Sequence, residues 1–534
     1  MVCYAAYRSL PDTEQDLPLL LLGLLVIAGA ATWLMRSQAA RTQWALSAAF
    51  AASSWLFSMA LLLSLPVMIQ FSVWQPEELF KSPLLLSLDQ TSWSYLYAMT
   101  TVLLAMIFTA AARPTMAPAG VRAFWFLYTA LAVLAILAAN LLTLTITWAL
   151  MDLMTLVFSV WAAEDPGDVQ QALTRFGVDT AGVLLLIAGA SLNHIAGGDT
   201  LITTPFLSTS GVLLVIISAL IRIGIMPLHF GISGFEPLRR GLGTLLRLFP
   251  PAVSLALLTR MFDIGLPEGT KIWLFTAAII GVAVGGLRWV LEADAIRSRP
   301  FFVMAISSLA VLAGVTQVGA AGARSAGVML LLMGATLSLT EIHSPAHRIW
   351  PLLAALVLIG LPWTPGGVLA TTFGSSAASA EHWLAIAIGV VGISALGLGA
   401  MHVFFEPESE WPTSESLVRV TYGLGLAIPV LVSFGIGIWL QPMPTLWGVI
   451  LFGGAAVLST LSLFGLRRLP ASQAQRWQSI AGKVDPQPIY RLLWRPLRGF
   501  ARFARTIGAI FEGEGALIWM FVVVLFLVLA LGAG

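Results

Sequence analysis

Stretches of about 20 apolar residues recur from one end of the 534-residue chain to the other, separated by short polar links. A run of that length crosses a bilayer core of ~30 Å as an α-helix. The pattern therefore predicts an all-α polytopic membrane protein with no inserted soluble domain. The sixteen predicted spans are 17–35, 43–68, 92–112, 121–139, 141–162, 179–196, 209–228, 242–262, 271–290, 300–319, 325–341, 348–371, 383–405, 417–440, 446–466 and 515–533.

The charges in the links predict the orientation. When the links are assigned alternately to the two sides, one set holds most of the arginines and the other holds mainly acids, among them Glu77, Glu78 and Asp199. Arginine-rich links stay on the cytoplasmic side, so both chain termini are expected outside. The residues before the first span are acidic rather than basic, which does not fit a signal peptide. We expect a multi-pass protein of the bacterial inner membrane.

Two of the predicted spans are broken. The seventh carries Pro227, and the twelfth carries Pro362, Gly366 and Gly367. Proline removes a backbone hydrogen bond, and transporters place their sites at such interruptions. The breaks lie five spans apart, which favours two inverted five-helix repeats. The predicted organisation is N-terminal helices in 1–120, repeats in 121–262 and 271–405, and a helix pair in 417–466.

The polar segment 467–514 precedes a terminal span in 515–534. Five arginines from Arg491 to Arg505 recur at helical spacing, and apolar residues such as Leu497 and Phe500 recur on the other side. This pattern predicts an amphipathic helix on the cytoplasmic side, with its arginines towards lipid headgroups or a neighbouring subunit. A polar linker is the alternative.

The candidate ion-pathway residues are Asp152, Arg222 and Arg247, which are charged groups inside spans, and His229, a titratable group directly after the seventh span. An intramembrane carboxylate is either an ion site or a buried acid paired with an arginine. We expect Asp152 and Arg222 to approach each other, because each is the strong charge of its apolar segment. His229 and His402 could relay protons through water. His194 borders a Gly-Gly link, His343 and His347 lie in a link, and all three are predicted to be surface residues.

Other chemistry is not indicated. The single cysteine, Cys3, excludes a disulfide framework and a thiolate metal cluster. The chain has no phosphate loop, no dinucleotide fingerprint and no nucleophile with a partner base. We therefore expect no catalytic residue, cofactor, metal or nucleic-acid partner in this chain, and any enzymatic role would be that of a subunit.

The order of several segments resembles the antiporter-like subunits shared by complex I, membrane-bound hydrogenases and Mrp-type sodium/proton antiporters. These segments are SLDQTSWSYLYAM, TITWALMDLM, IRIGIMPLHFGISGFEP, LEADAIRSRPFFVMAISSLA and GLPWTPGG, which together cover about residues 85–370. The resemblance implies two inverted five-helix repeats with broken seventh and twelfth spans. It also implies proton or sodium movement driven by redox chemistry in other membrane subunits.

The chain departs from that family at the titratable positions. Trp148 is followed by Ala149 where the family has Glu, and Asp152 lies three residues further on. Arg222 replaces the lysine before the seventh-span proline, and Arg247 replaces a histidine or lysine of the eighth span. Arginine does not release its proton, so these changes predict a degenerate proton path. The alternatives are a non-conducting scaffold subunit and the membrane half of a two-component inorganic-carbon uptake system.

Overall fold

A computed structural model describes residues 16–71, 84–112, 117–163, 165–225, 241–292, 295–316, 319–375, 383–411, 415–441 and 443–468. The amphipathic helix predicted in 467–514 and the terminal span fall outside this part of the chain, apart from two residues. Pro227 and His229 also lie outside the described residues.

The described residues form sixteen α-helices and one two-stranded sheet. In chain order they are α1 Leu17–Leu34, α2 Ala40–Ala60, β1 Val67–Phe71, β2 Leu84–Leu88, α3 Gln90–Ala110, α4 Ala119–Leu137, α5 Leu141–Trp161, α6 Pro166–Ile195, α7 Thr209–Arg222, α8 Leu242–Ile264, α9 Glu268–Leu291, α10 Ala295–Val315, α11 Gly319–Leu339, α12 Ile349–Leu358, α13 Pro365–Ser375, α14 Trp383–Phe404, α15 Ser416–Leu440 and α16 Leu446–Arg468.

Thirteen helices of the described chain are long and apolar enough to cross a membrane, by length and composition. The protein is therefore an all-α multi-pass membrane protein, as predicted. Helices α3, α8, α10 and α11 are almost wholly buried and form the centre of the bundle, whereas α2, α6 and α16 are largely exposed at its margin. The exposed apolar faces are those expected of helices that meet lipid.

The hairpin of β1 and β2 corrects the prediction of helix up to residue 68. Val67 to Phe71 pair antiparallel with Leu88 to Leu84. Leu86 also forms a bridge to Ala138, and the Ala139 N–H donates to the Leu85 carbonyl at 3.0 Å. The hairpin thus lies against the connection between α4 and α5 and extends into the start of α3.

Helix α6 begins earlier than predicted. The apolar run starts at residue 179, but the helix starts at Pro166 and continues for 30 residues. Proline is well suited to the first position of a helix, because the missing N–H has no partner there in any case. As a result, Arg175 lies on a helix rather than in a link, one turn before Asp179.

The seventh span is interrupted before its proline. Helix α7 ends at Arg222, and Gly224 follows with φ of +76°. The Gly224 N–H donates to the Ile221 carbonyl, and the Ile225 N–H donates to the Leu220 carbonyl, both at 3.1 Å. This is the glycine-terminated Schellman motif, which satisfies the last carbonyls of a helix.

The twelfth span ends its first half in the same way. Helix α12 is followed by Gly360 with φ of +98°, whose N–H donates to the Val357 carbonyl at 3.1 Å. Helix α13 then begins at Pro365. A Cβ on Gly366 would lie 1.8 Å from the Val357 carbonyl oxygen, so only glycine lets the second half approach the end of the first.

Candidate functional site

The central feature of the site is an ion pair between α5 and α7. Arg222 Nη1 donates to Asp152 Oδ2 at 2.7 Å, and Arg222 Nη2 donates to Asp152 Oδ1 at 2.8 Å. Both residues are 4% exposed. Two parallel N–H···O bonds give a guanidinium–carboxylate pair its best geometry. The predicted pairing of Asp152 with Arg222 is therefore present.

Neighbouring elements fix the position of both side chains. Trp148 lies one turn before Asp152 on α5, and its ring centroid is 4.4 Å from Arg222 Cζ. Helix α6 packs against both α5 and α7. A Cβ on Gly182 of α6 would stand 3.6 Å from Arg222 Cγ, which is ordinary van der Waals contact, so α6 lies directly against the arginine stem. Ser218 donates to the Gly182 carbonyl at 2.6 Å and holds α7 against α6.

A second pair adjoins the first and was missed from the sequence. Arg175 Nε lies 3.5 Å from Asp179 Oδ2 on α6, and Arg175 Nη2 donates to the Leu246 carbonyl of α8 at 2.9 Å. Both charges act electrostatically on Asp152. Arg247, the next residue of α8, is also buried. The available signal was the i, i+4 spacing of Arg175 and Asp179, which matters only once the helix is known to include them.

The four paired charges sum to zero, and Arg247 adds one positive charge. Asp152 is the group of the first pair whose protonation state can change, because a guanidinium keeps its proton. Its two oxygens are both occupied by Arg222. Among the described residues, no three His, Cys, Asp or Glu side chains are grouped so as to hold a metal ion.

The second broken span has no charge at the matching place. Counted back from the terminating glycine, Arg222 is two residues before Gly224, and Leu358 is two residues before Gly360. Both are the last residue of their half-helix. Leu358 is fully buried. The two helix ends thus have the same backbone conformation, but the second has leucine where the first has a cation.

A further group of charges lies beside the hairpin, in which two arginines are buried, one acid is half-buried and the other is exposed. Asp89 caps α3 by accepting the Ser92 N–H at 2.6 Å. Arg260 Nε of α8 lies 3.3 Å from Asp89 Oδ2, and Arg260 also donates to the Ala138 carbonyl at 2.8 Å. Arg324 Nη2 of α11 lies 3.7 Å from Asp263 Oδ2 of α8.

The electrostatic setting of Asp89 favours its ionised form. Burial opposes the charge, but the Arg260 guanidinium, the hydrogen bonds from Ser92 and the more distant Arg324 together hold the pKa of the Asp89 carboxyl below its ordinary value. This cluster joins α3, α8 and α11 at one end of the bundle.

Comparisons with known proteins identify the fold. The chain is similar to a chain in the structure of the Mrp complex from Dietzia sp. DQ12-45-1b, with a TM-score of 0.72 and 16% identity over 97% of this chain and 63% of that chain. It is also similar to a chain of the membrane-bound sulfane sulfur reductase, an archaeal respiratory membrane complex, with a TM-score of 0.69 and 14% identity over 97% of this chain and 100% of that chain. The present chain thus spans less than two thirds of the matched Mrp chain. No family model matches the sequence, and no curated protein matches it. The antiporter-like fold inferred from the sequence motifs is confirmed.

Proposed function

We propose that this protein is an antiporter-like membrane subunit of a complex I-related assembly that translocates protons or sodium ions, and that its own proton path is degenerate. The assembly would lie in a bacterial inner membrane, and redox chemistry in other subunits would drive it. The fold shared with chains of the Mrp complex and of a respiratory membrane complex supports the class of subunit.

The observation that carries the proposal is the bidentate Asp152–Arg222 pair at the end of the first half of a broken helix. A proton relay needs groups that take up and release protons near the working pH. Arg222 does not release its proton. Protonation of Asp152 would strand the buried guanidinium, so the pair itself resists the step that a relay requires.

The second broken span supports the same conclusion. Leu358 stands where Arg222 stands in the first. On the neighbouring helix α11, the Thr336 hydroxyl donates to the Leu332 carbonyl at 2.9 Å, and the Thr340 hydroxyl donates to the Thr336 carbonyl at 2.7 Å. Hydroxyl groups bonded to their own helix can order water, but they cannot store a proton.

Two other functions remain as candidates. A non-conducting scaffold is favoured by Leu358 and by the arginine at position 222, whereas the buried carboxylate of Asp152 favours residual ion coupling. The second alternative is the membrane half of an inorganic-carbon uptake system, because such systems contain related subunits. Identification of the subunits that co-purify with a tagged chain would separate a redox partner from a carbon-hydrating one.

Proton transport by the whole complex in sealed vesicles tests the proposal. We expect the ratio of protons moved to electrons transferred to be the same for the native chain, for Asp152→Asn and for Arg222→Lys, when each is normalised to assembled complex. An intact route in this subunit would instead lower the ratio by one subunit's share in Asp152→Asn. Normalisation to assembled complex keeps a loss of stability from being read as a loss of conduction.

A further inference from the structure

Four aromatic rings meet where the link between α11 and α12 touches the link between α14 and α15. The His343 ring stacks on Trp411 with centroids 4.4 Å apart, and the His347 ring lies edge-on to Trp411 at 5.3 Å and to Tyr422 at 5.2 Å. The two imidazole centroids are 6.1 Å apart. We call His343, His347, Trp411 and Tyr422 the imidazole cluster.

The prediction that His343 and His347 are surface residues is wrong. Both side chains are half-buried, because Trp411 of one link and Tyr422 of α15 cover them. This contact could not be predicted from the link alone, since the covering residues lie more than sixty positions further along the chain. The exposure of both side chains was predicted only from the polar composition of the link that contains them.

The cluster lies beside the hydrogen bonds that join the two links. The Ser409 N–H donates to the Ile342 carbonyl at 2.7 Å, and the Ser409 hydroxyl lies 3.0 Å from His343 Nδ1. Tyr422 Oη accepts the Glu341 N–H at 2.6 Å and donates to the Glu341 carbonyl at 2.9 Å. These bonds bind the start of the second broken span to the start of α15.

Two ring nitrogens of the cluster have no hydrogen-bond partner among the described residues. They are His343 Nε2 and His347 Nδ1, and both are buried. A neutral imidazole needs a single donor site, whereas an imidazolium donates from both nitrogens. Proton uptake would therefore create a charged donor with no acceptor in a half-buried place, which is unfavourable.

Charged groups of both links and of α15 lie around the cluster. Arg348 of the same link lies 3.3 Å from Glu408, so that acid is already engaged, and Arg419 Cζ of α15 lies 5.4 Å from the Trp411 centroid. Burial, and then the neighbouring His343, lower the pKa of His347. The other acids near the cluster are Glu341, Glu406 and Glu410. Glu410 is exposed to solvent, where attraction over a distance is weak.

We infer that the imidazole cluster is a pH-sensitive latch that holds the two links together while His347 is neutral and releases them when His347 takes up a proton. Because α12 follows directly from the latched link, release frees the entrance of the second broken span. The latch does not depend on the proposed degeneracy of the proton path, and it would operate in a scaffold as well.

The sign of the pH effect follows from His347. Its pKa is lower in the closed latch than in the open chain, so the closed state gains stability above the ordinary histidine pKa of about 6.5. That stability is lost as the pH falls below about 6.5. The latch is therefore closed at neutral pH and opens on acidification.

Hydrogen exchange followed by mass spectrometry tests the latch on the full-length protein in lipid nanodiscs. Rates are compared at about pH 7.5 and about pH 5.5 after correction for the intrinsic pH dependence of exchange. We expect the peptide that contains Ser409 to lose protection by about threefold or more at the acidic pH. The link 196–208, which lies outside the cluster, serves as an internal reference and should not change.

Matched variants make the result specific. In His343→Gln/His347→Gln the two amides cannot take up protons, so the acid-induced loss of protection should disappear. The variant His194→Gln changes an exposed histidine and should keep the native response. If the double variant is poorly folded, His347→Gln alone is measured and should reduce the response. Native protection that is equal at both pH values, or an unchanged response in the glutamine variants, would overturn the inference.

Discussion

Asp152 and Arg222 each carry a full charge in a segment that is otherwise apolar. Neither would be tolerated alone, because an isolated ion loses its hydration and gains nothing in return. Together they form two hydrogen bonds of 2.7 and 2.8 Å, and the indole of Trp148 covers the guanidinium. The pair is therefore one unit in energetic terms, and changes to its members should not be additive.

The variant Asp152→Asn should destabilise the protein by about 3–5 kcal/mol, because it leaves the Arg222 charge buried without a counterion. The double variant Asp152→Asn/Arg222→Gln should recover part of that loss. Chemical unfolding in detergent, with Asp168→Asn on the half-buried side of the first turn of α6 as the control, measures both effects. Additive losses in the double variant would mean that the two side chains do not depend on each other.

Asp89 provides a prediction about acid stability. Its pKa is lowered in the folded protein, so the ionised carboxyl contributes stability above the ordinary aspartate pKa of about 3.9 and loses it as the pH falls through that range. The variant Asp89→Asn should be less stable than the native protein at neutral pH and should lose less stability on acidification to about pH 3. The melting temperature measured across that range tests this, and parallel curves for the two proteins would contradict it.

These two groups of charges differ in how far the sequence could predict them. The Asp152–Arg222 pair was predictable, because a charged residue in an apolar segment needs a counterion. The fifth span contains one acid and the seventh span contains one arginine. The Asp89–Arg260 contact was not predictable, because both residues sit at helix ends, where charges are ordinary. The Arg175–Asp179 pair was not predicted, because α6 starts before its apolar run and the hydrophobicity pattern does not show that the earlier residues are helical.

The first halves of the two broken spans end in the same way. Each first half ends at a glycine with positive φ, at Gly224 and Gly360, and the same pair of backbone hydrogen bonds closes it. The prolines Pro227 and Pro362 indicated where to look, but the helices end before them. A proline restricts the residues that precede it, and the glycine supplies the left-handed conformation that actually stops the helix.

Alanine at Gly224 or at Gly360 should therefore cost about 1–2 kcal/mol, since an L-residue is strained at positive φ. The variant Gly435→Ala is the matched control, because this glycine lies within α15 and an added Cβ would meet nothing within 4 Å. That control should be neutral or slightly stabilising. Thermal unfolding of the three variants under identical conditions measures the difference. Equal stability of Gly360→Ala and Gly435→Ala would show that the glycine conformation does not matter.

The lengths of the apolar runs predicted most of the architecture of the bundle. Every predicted span except the last coincides with at least one α-helix of the described chain. The hairpin was not predicted, because its strands continue an apolar run without a change of composition. The two inverted repeats, the domain limits and the C-terminal amphipathic helix stay predictions.

The orientation predicts that the α6–α7 link and the α11–α12 link face opposite sides of the membrane. Cys3 is the single native cysteine, so Cys3→Ser gives a background without thiols. In that background Asp199→Cys and Ala346→Cys place one exposed thiol in each link. A membrane-impermeant maleimide added to intact cells should label Asp199→Cys and should label Ala346→Cys after lysis. Labelling of both in intact cells would refute the predicted topology.

The closed Asp152–Arg222 pair also determines how the first broken span responds to the membrane voltage. Moving one elementary charge through 100 mV changes the free energy by about 2.3 kcal/mol, so a lone buried arginine would feel the potential strongly. The pair carries no net charge, and a shift that carries α5 and α7 together does no electrical work. Separation of Asp152 from Arg222 does such work, because opposite charges then move apart along the field. The pair itself therefore responds to the voltage only when it opens, and it adds no voltage dependence to a movement that carries α5 and α7 together.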